Sequence, residues 1–132
     1  MDKLHSHKKS RVAPAGALPV IQKLIDAYKV WHNFLPHFSK TSRYTLGERI
    51  DLLLIEVMES ALLASQFYKT QKVPYVRQAI MKLDLLKFFL QIAWEIKALD
   101  NKKYIALSEK LNEIGKMLGG WLRQLSKENS TD

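Results

Sequence analysis

The sequence has no cysteine and only four prolines and five glycines among its 132 residues. Without cysteine the chain cannot form disulfides, thiolate nucleophiles or zinc-finger sites, and this composition suits the reducing cytoplasm, which is the predicted location. Few prolines and glycines exclude collagen-like and low-complexity classes, and 47% apolar residues argue against disorder throughout. The longest uncharged stretches, residues 12–22 and 30–39, are about half the roughly 20 residues of a membrane span. The N-terminus also lacks the apolar core of a secretory signal, so neither export nor a membrane partner is expected.

Positive charge is the first indication of function. The chain contains 21 Lys+Arg and 13 Asp+Glu, a net charge of +8, of which residues 1–17 carry +3, residues 18–126 carry +6 and the last six carry −1. Such a basic chain is expected to meet nucleic acid, an anionic surface or an acidic protein. The length fits one domain. We predict a disordered basic tail over residues 1–17, a folded domain over 18–126 and a disordered C-terminus over 127–132.

Apolar residues recur every three or four positions from residue 18 to residue 125, a pattern that predicts helices and no strands. Pro36 should kink or end the first helix near Leu35, and residues 37–43 are expected to form a loop. Because long helices with short connections favour this arrangement, we predict an all-α, antiparallel up-and-down four-helix bundle.

Local signals predict where the other helices begin. Thr45-Leu46-Gly47-Glu48 matches a capping box, in which the threonine hydroxyl and the glutamate carboxylate satisfy free backbone amides. Residues 70–73 are expected to connect the second and third helices, with Pro74 in the first turn of the third. The Asp100-Asn101 pair should end the third helix and cap the fourth.

The second and third helices carry more apolar rows than one buried face requires. The rows beyond a single seam comprise Leu54, Met58, Ala61 and Tyr68, then Leu52, Ile55 and Leu62, and on the third helix Leu85, Phe89, Ile92, Ile96 and Leu99. Left in water, they would exceed the few hundred Å² of apolar patch that monomers usually tolerate. We therefore predict self-association; the alternative is that these helices are the central pair of an irregular bundle.

Residues that usually carry catalysis are not arranged for it. All four histidines precede the second helix, so the Glu-x-x-His pairs of bundle di-iron sites cannot form in the last three helices. The pairs Glu56–Glu59 and Glu109–Glu113 share helix faces, where a solvated or salt-bridged face is favoured over metal ligation or acid–base chemistry. No glycine-rich phosphate loop follows a strand. We predict no enzyme activity, no metal and no cofactor.

Three glycines lie inside the pattern of the fourth helix. Gly115, Gly119 and Gly120 each cost about 1 kcal/mol relative to alanine in a helix. Close approach of another helix backbone would offset this cost. The alternative is a break at Gly119–Gly120 with Trp121 docked separately, and a continuous helix is favoured.

Basic residues cluster near the predicted helix ends and connections. The helix dipole favours cations at the end of the fourth helix, but it does not explain Arg43, Arg49 or Arg77, which lie near helix starts. Self-association would repeat each cluster and raise the local potential. Tyr44 and Tyr75, each close to an arginine in sequence, are weaker candidates for base stacking. The candidate nucleic-acid contacts are Lys40, Arg43, Arg49, Lys69, Lys72, Arg77, Lys116 and Arg123.

Two motifs carry a resemblance to a known family. The segment Phe38-Ser-Lys-Thr-Ser-Arg43-Tyr-Thr-Leu-Gly-Glu-Arg49-Ile and the later Glu113-Ile-Gly-Lys-Met-Leu-Gly-Gly-Trp121-Leu resemble the accessory variability determinant (Avd) family of diversity-generating retroelements. The resemblance extends from about residue 18 to residue 125. Related bundles encoded in ribosomal RNA intervening sequences share the architecture.

The resemblance implies a function as well as a fold. Family members are non-enzymatic, barrel-shaped homopentamers that bind the reverse transcriptase and nucleic acid and support mutagenic retrohoming from a template RNA. On this chain it implies polyanion contacts at Arg43, Arg49, Lys116 and Arg123. The expected partners are therefore a reverse transcriptase, RNA or other nucleic acid, and further copies of this chain. The alternative is a protein–protein scaffold without a nucleic-acid role.

Overall fold

The computed structural model describes residues 18–131, which form four long helices and no strand. The helices are α1 (Leu18–Phe34), α2 (Glu48–Gln66), α3 (Lys69–Glu95) and α4 (Asn101–Thr131). The all-α prediction and the number of helices are confirmed. The predicted tail over residues 1–17 lies outside the described residues.

All four helices contribute one apolar row to a single core. In α4 the apolar residues spaced three and four apart are buried from Leu107 to Leu125, and Tyr104 at the start of this row is half-buried. Periodicity alone therefore located this face of α4. The largest fully buried side chains are Leu24 and Trp31 of α1, Ile50, Leu53 and Leu54 of α2, Leu83, Leu86 and Leu90 of α3, Leu99 before α4, and Leu107, Leu111 and Ile114 of α4.

The helices follow one another around the core. α2 packs mainly against α1 and α3, and α4 packs mainly against α3 and α1, so α2 and α4 lie at diagonal corners. Between α2 and α3, the Lys82 ammonium lies 3.1 Å from the Glu56 carboxylate, and Lys72 reaches the carbonyl of Ala64. The positions that pair thus run in opposite directions along the two helices.

The connection from α1 to α2 is more helical than predicted. α1 ends at Phe34, as Pro36 predicts, and a 3₁₀ turn covers Leu35–His37. The predicted loop over residues 37–43 is wrong, because a short helix, Lys40–Ser42, begins inside it and continues as a π-helical turn, Arg43–Gly47, directly into α2.

The predicted capping box is also wrong. The Ser39 hydroxyl caps this helical segment by accepting from the Ser42 amide. The Thr45 hydroxyl instead donates to the Thr41 carbonyl at 2.8 Å, because residue 45 already lies within helical backbone. Gly47 allows the turn to pack tightly, since a Cβ there would lie 2.9 Å from Leu35 Cδ1 and 3.2 Å from the Ser42 carbonyl oxygen.

The connection from α2 to α3 is shorter than predicted. Only Phe67 and Tyr68 separate the helices, so residues 70–73 are helical and Pro74 lies inside α3 instead of in its first turn. Proline cannot donate to the Thr70 carbonyl one turn earlier. Both residues are exposed, so water can satisfy that carbonyl.

Asp100 caps α4 as predicted, but α3 ends at Glu95, before the Asp100-Asn101 pair that was expected to end it. The Asp100 carboxylate accepts from the Lys103 amide at 2.8 Å, which caps α4. α4 passes through Gly119 and Gly120 without a break, as favoured from the sequence. The helix continues past residue 126 to Thr131, and Gln124 donates to the Glu128 carboxylate four residues later.

Several members of the extra apolar rows stay at the surface. Leu52 and Leu62 of α2, Leu85 of α3 and Ile96 just after α3 are exposed, whereas Leu99 is buried. None of the helices within residues 18–131 combines the length and apolar character needed to cross a membrane.

Candidate polyanion-binding surface

The predicted basic residues lie in two groups along the bundle. Lys40, Arg43 and Arg49 lie where α1 meets the start of α2. The second group lies near the start of α3 and on the second half of α4, and the two helices pack against each other. The members of that second group are Lys69, Lys72, Arg77, Lys116 and Arg123.

Lys72 has a structural role. Its buried ammonium donates to the Ala64 carbonyl at 3.0 Å and so caps the C-terminal end of α2. Burial lowers the pKa of Lys72, and the negative charge of Glu128 partly opposes that shift. A buried ammonium with a backbone partner is poorly placed to reach a phosphate.

Arg43 is also held by the chain itself. Its Nη2 donates to the carbonyls of Pro36 and Phe38 at 3.0 and 3.2 Å. The Nε atom is buried and has no hydrogen-bond partner within residues 18–131, and the guanidinium lies 6.0 Å from the Tyr44 ring centroid. The side chain therefore fastens the 3₁₀ turn to the π-helical turn.

Lys40, Arg49 and Arg77 are exposed and remain available at the surface. The Arg49 guanidinium lies 6.0 Å from the Phe89 ring centroid, an arrangement that orients the cation and leaves its donors in solvent. Lys69 is the first residue of α3.

The glycines of α4 lie beside cationic side chains. A Cβ at Gly115 would lie 3.2 Å from the Lys87 ammonium and 3.5 Å from Leu83 Cδ2 of α3. At Gly119 and Gly120 the nearest atoms are the guanidinium nitrogens of Arg123, at 3.5 and 3.7 Å. Within residues 18–131 no other helix backbone makes the close approach expected there. The missing side chains instead leave room for Arg123 to lie back along its own helix.

The sequence reading missed one basic residue beside Lys116, which is Lys87. Lys87 lines a shallow hollow between α3 and α4, of about 410 Å³, together with Asp84, Asn112 and Lys116. The hollow brings two ammonium groups to one face, with a single carboxylate between the helices. Lys87 lies ten residues after Arg77 on α3, the helix that packs against α4. The packing of α3 against α4 was the signal that could have identified it.

The sequence reading also missed a partly buried polar link between α1 and α2. The Asp51 carboxylate of α2 accepts from the Tyr28 hydroxyl at 2.8 Å and from the Trp31 indole at 3.0 Å. Burial, and then the hydrogen bond and charge of Asp51, raise the pKa of Tyr28. Tyr28 and Trp31 lie on the apolar face of α1, and their hydroxyl and indole N–H groups were the available signal. Indole and phenol groups that are removed from water need hydrogen-bond partners.

The acidic and histidine candidates have ordinary surroundings. Glu56 pairs with Lys82, and Glu113 lies 3.4 Å from the Lys23 ammonium. His32 is exposed and stacks on Tyr28 with centroids 6.1 Å apart. Within the described part of the chain, no group of three or more acidic or histidine side chains could hold a metal ion.

Comparison with known proteins places the chain in a family. The profile of the bAvd-like family matches residues 19–125, which span all but the first residue of α1, all of α2 and α3, and most of α4. Comparisons with curated proteins and with solved structures give no match. The matched segment contains both motifs on which the resemblance rests and nearly the whole helical domain. The chain therefore belongs to the bAvd-like family, whose members are accessory proteins of the Avd type.

Proposed function

We propose that this protein is the non-enzymatic accessory protein of a diversity-generating retroelement, which binds template RNA and the reverse transcriptase and supports mutagenic retrohoming. The observation that carries the proposal is the family match over residues 19–125. The positive charge of the helical domain supports it, because +6 over residues 18–126 favours a polyanionic partner.

We assign the nucleic-acid contacts to the exposed cations first. Lys116 and Arg123 share one face of α4, seven residues apart, and Lys87 lies beside Lys116 across the α3–α4 hollow. Arg77 on α3 and Lys69 at the start of that helix stay candidates. Lys40 and Arg49 form a second exposed group, which Arg43 supports by holding the turn beneath it. Lys72 supports the fold at the end of α2.

We further propose an antiparallel up-and-down bundle that assembles into a ring-like homo-oligomer, a pentamer by resemblance to the family. The opposed order of the pairs Glu56–Lys82 and Ala64–Lys72 supports the antiparallel arrangement. The exposed apolar residues of α2 and α3 support assembly, because such surfaces commonly mark interfaces.

Charge reversal on α4 tests the nucleic-acid role. We expect the double variant Lys116→Glu/Arg123→Glu to weaken binding of a short single-stranded RNA and to lower the salt slope by about one for each phosphate that is no longer neutralised. The control Lys102→Glu/Lys110→Glu makes the same change of charge on the same helix and should weaken binding less. Fluorescence anisotropy across a salt series measures both.

A scaffold without a nucleic-acid role is the second candidate. The exposed apolar side chains of α2 and α3 favour it, because they suit contact with protein more than with phosphate. Pull-down with the reverse transcriptase of the same element separates the two. If the Lys116→Glu/Arg123→Glu variant loses RNA and retains the polymerase, the accessory role is supported. If it loses the polymerase while RNA binding is unchanged, the scaffold replaces it.

A further inference from the structure

An apolar ridge runs along the outer face of α3. Met81, Leu85 and Phe88 lie at i, i+4 and i+7, and they are 63%, 38% and 55% exposed. This spacing places all three on one helix face. Leu85 lies one turn from Lys82 and from Phe89, both of which contact α2 residues, whereas Met81 and Phe88 lie one turn from Asp84 at the α3–α4 hollow. The ridge therefore lies along the outer edge of α3.

An apolar groove lies between α1 and α2, on the other side of α2 from the ridge. It is lined by Tyr28, Ile55, Met58, Glu59 and Leu62 and encloses about 370 Å³. A second hollow, lined by Tyr28, Lys29, His32 and Asn33, adjoins it through their shared tyrosine. Grooves of this kind accept the anchoring side chains of a helix at i, i+4 and i+7.

The charges beside the ridge complement those beside the groove. Arg77 and Asp84 flank Met81 at opposite ends of about 10 Å of helix. Glu59 lines the groove, and Lys29 lines the hollow that adjoins it. None of these four charges has an ion-pair partner within residues 18–131. A helix laid in the groove can therefore pair Arg77 with Glu59 and Asp84 with Lys29.

We infer that the α3 ridge of one copy docks into the α1–α2 groove of the next copy. The inference rests on the ring proposed above and deepens it by naming the two surfaces that meet. Because ridge and groove are different surfaces, the contact is head-to-tail, and such contacts form closed rings when the rotation between copies closes. Helix α2 lies between the two surfaces, so successive copies turn in one direction and can close into a ring.

This contact fixes which helix faces the ring axis. Because α2 lies between the two docking surfaces, α2 points toward the axis and the diagonal helix α4 points outward. Exposed Glu48 and Glu59 of α2 then approach the bore, whereas Lys116 and Arg123 of α4 lie outside. Nucleic acid is accordingly expected around the outer surface of the ring, at Lys116 and Arg123. In the ring, Arg77 is taken up by the contact between copies, and Arg49 of α2 does not face that outer surface.

Mixing two assembly variants tests the contact. Leu62→Asp impairs the groove and Phe88→Asp impairs the ridge, and both side chains are about half exposed in the single chain. Native mass spectrometry should find a ring for the unaltered protein and a monomer for each variant. The 1:1 mixture should give a heterodimer and nothing larger, because one intact ridge meets one intact groove. Ile105→Asp on α4, at 56% exposure, is the matched control and should leave the ring intact.

Three results would overturn the inference. They are a monomeric unaltered protein, retention of the ring by either variant, and a mixture that stays monomeric. Retention by Leu62→Asp alone would indicate that α3 ridges pair with each other. Circular dichroism checks that each variant is helical, and Leu62→Gln with Phe88→Gln repeats the test if an aspartate variant unfolds.

The same samples separate this inference from the proposed function. A ring that behaves as predicted in the mixing experiment but fails to bind RNA or reverse transcriptase would refute the accessory role and leave the contact standing. Binding of RNA by a protein whose variants all keep their ring would refute the contact and leave the accessory role standing.

Discussion

Individual lysines of this protein differ in what their ammonium groups contact. Lys72 stands among polar neighbours in sequence, so a charge count treats it as a surface cation, yet its ammonium is buried on the Ala64 carbonyl. Lys72 precedes Val76 by four residues and so extends the buried row of α3, but the predicted connection over residues 70–73 placed it outside the helix. Its partner is a backbone atom of the preceding helix, which spacing does not identify. Position in sequence therefore predicted the charge of Lys72 and not its role.

The lowered pKa of Lys72 predicts how the free energy of unfolding depends on pH. Because burial lowers the pKa in the folded state below its usual value near 10.5, the unfolded chain binds the proton more strongly as pH rises toward 10.5. The free energy of unfolding of the unaltered protein, relative to Lys72→Met, should therefore increase with pH in the alkaline range below 10.5. Urea unfolding at several pH values measures the difference. A constant difference would contradict the buried ammonium.

Exposed Lys102 supplies the control for this pH effect. Lys102→Met should leave the pH dependence of unfolding unchanged, because it removes a cation without a buried contact. Lys72→Met should also retain RNA affinity better than Lys116→Met, since only the second cation is exposed.

The C-terminal end of α3 requires a backbone conformation that its residue, Lys97, adopts at a cost. α3 ends with Lys97 in the left-handed region, at φ 66°, while the Ala98 amide donates to the Ala93 carbonyl at 2.9 Å. Glycine adopts this conformation without the Cβ clash, so Lys97→Gly should raise the free energy of unfolding by about 1 kcal/mol. Lys97→Ala, which removes the same charge but keeps a Cβ, should give no such gain. Thermal and urea unfolding of both variants measure it, and equal effects would place the cause in the charge.

Helix interiors were predictable from the sequence, and several helix boundaries were not. The α4 row from Leu107 to Leu125 repeats for five turns, so its burial follows from spacing alone. The capping-box prediction rested on only two residues, Thr45 and Glu48. The competing hydrogen bond from the Thr45 hydroxyl to the Thr41 carbonyl depends on where the preceding turn begins. Pro74 likewise marks a permitted position near a helix start, and the exposed Thr70 carbonyl permits it one turn further in.

The candidate surface was predictable in type and only partly in its members. Exposed Arg49, Lys116 and Arg123 follow from polar positions on amphipathic helices. The position of Lys87 beside Lys116 depends on how the helices pack against one another, which a single sequence does not specify. The same holds for the hydrogen bonds of Arg43 and Lys72 to backbone carbonyls.

The whole molecule carries a modest charge for a nucleic-acid-binding protein. The +6 of residues 18–126 is spread over four helices, and the exposed pair Lys116 and Arg123 supplies few phosphate contacts alone. A head-to-tail ring repeats that pair around its outer surface. Affinity should then depend on assembly as much as on the basic residues themselves, since each added phosphate contact releases counterions.

Salt dependence of RNA binding tests this coupling of charge to assembly. With roughly 6–10 phosphate contacts per ring, affinity should fall about 10³–10⁵-fold between 50 and 200 mM salt. The variant Met81→Gln/Phe88→Gln removes the ridge without altering net charge, so it should bind RNA more weakly and with a shallower slope. Fluorescence anisotropy with a short single-stranded RNA measures both slopes, and Ile105→Gln serves as the control. An unchanged slope in the dissociated variant would mean that each protomer binds RNA independently, because the charge per chain is the same and only the number of copies per complex differs.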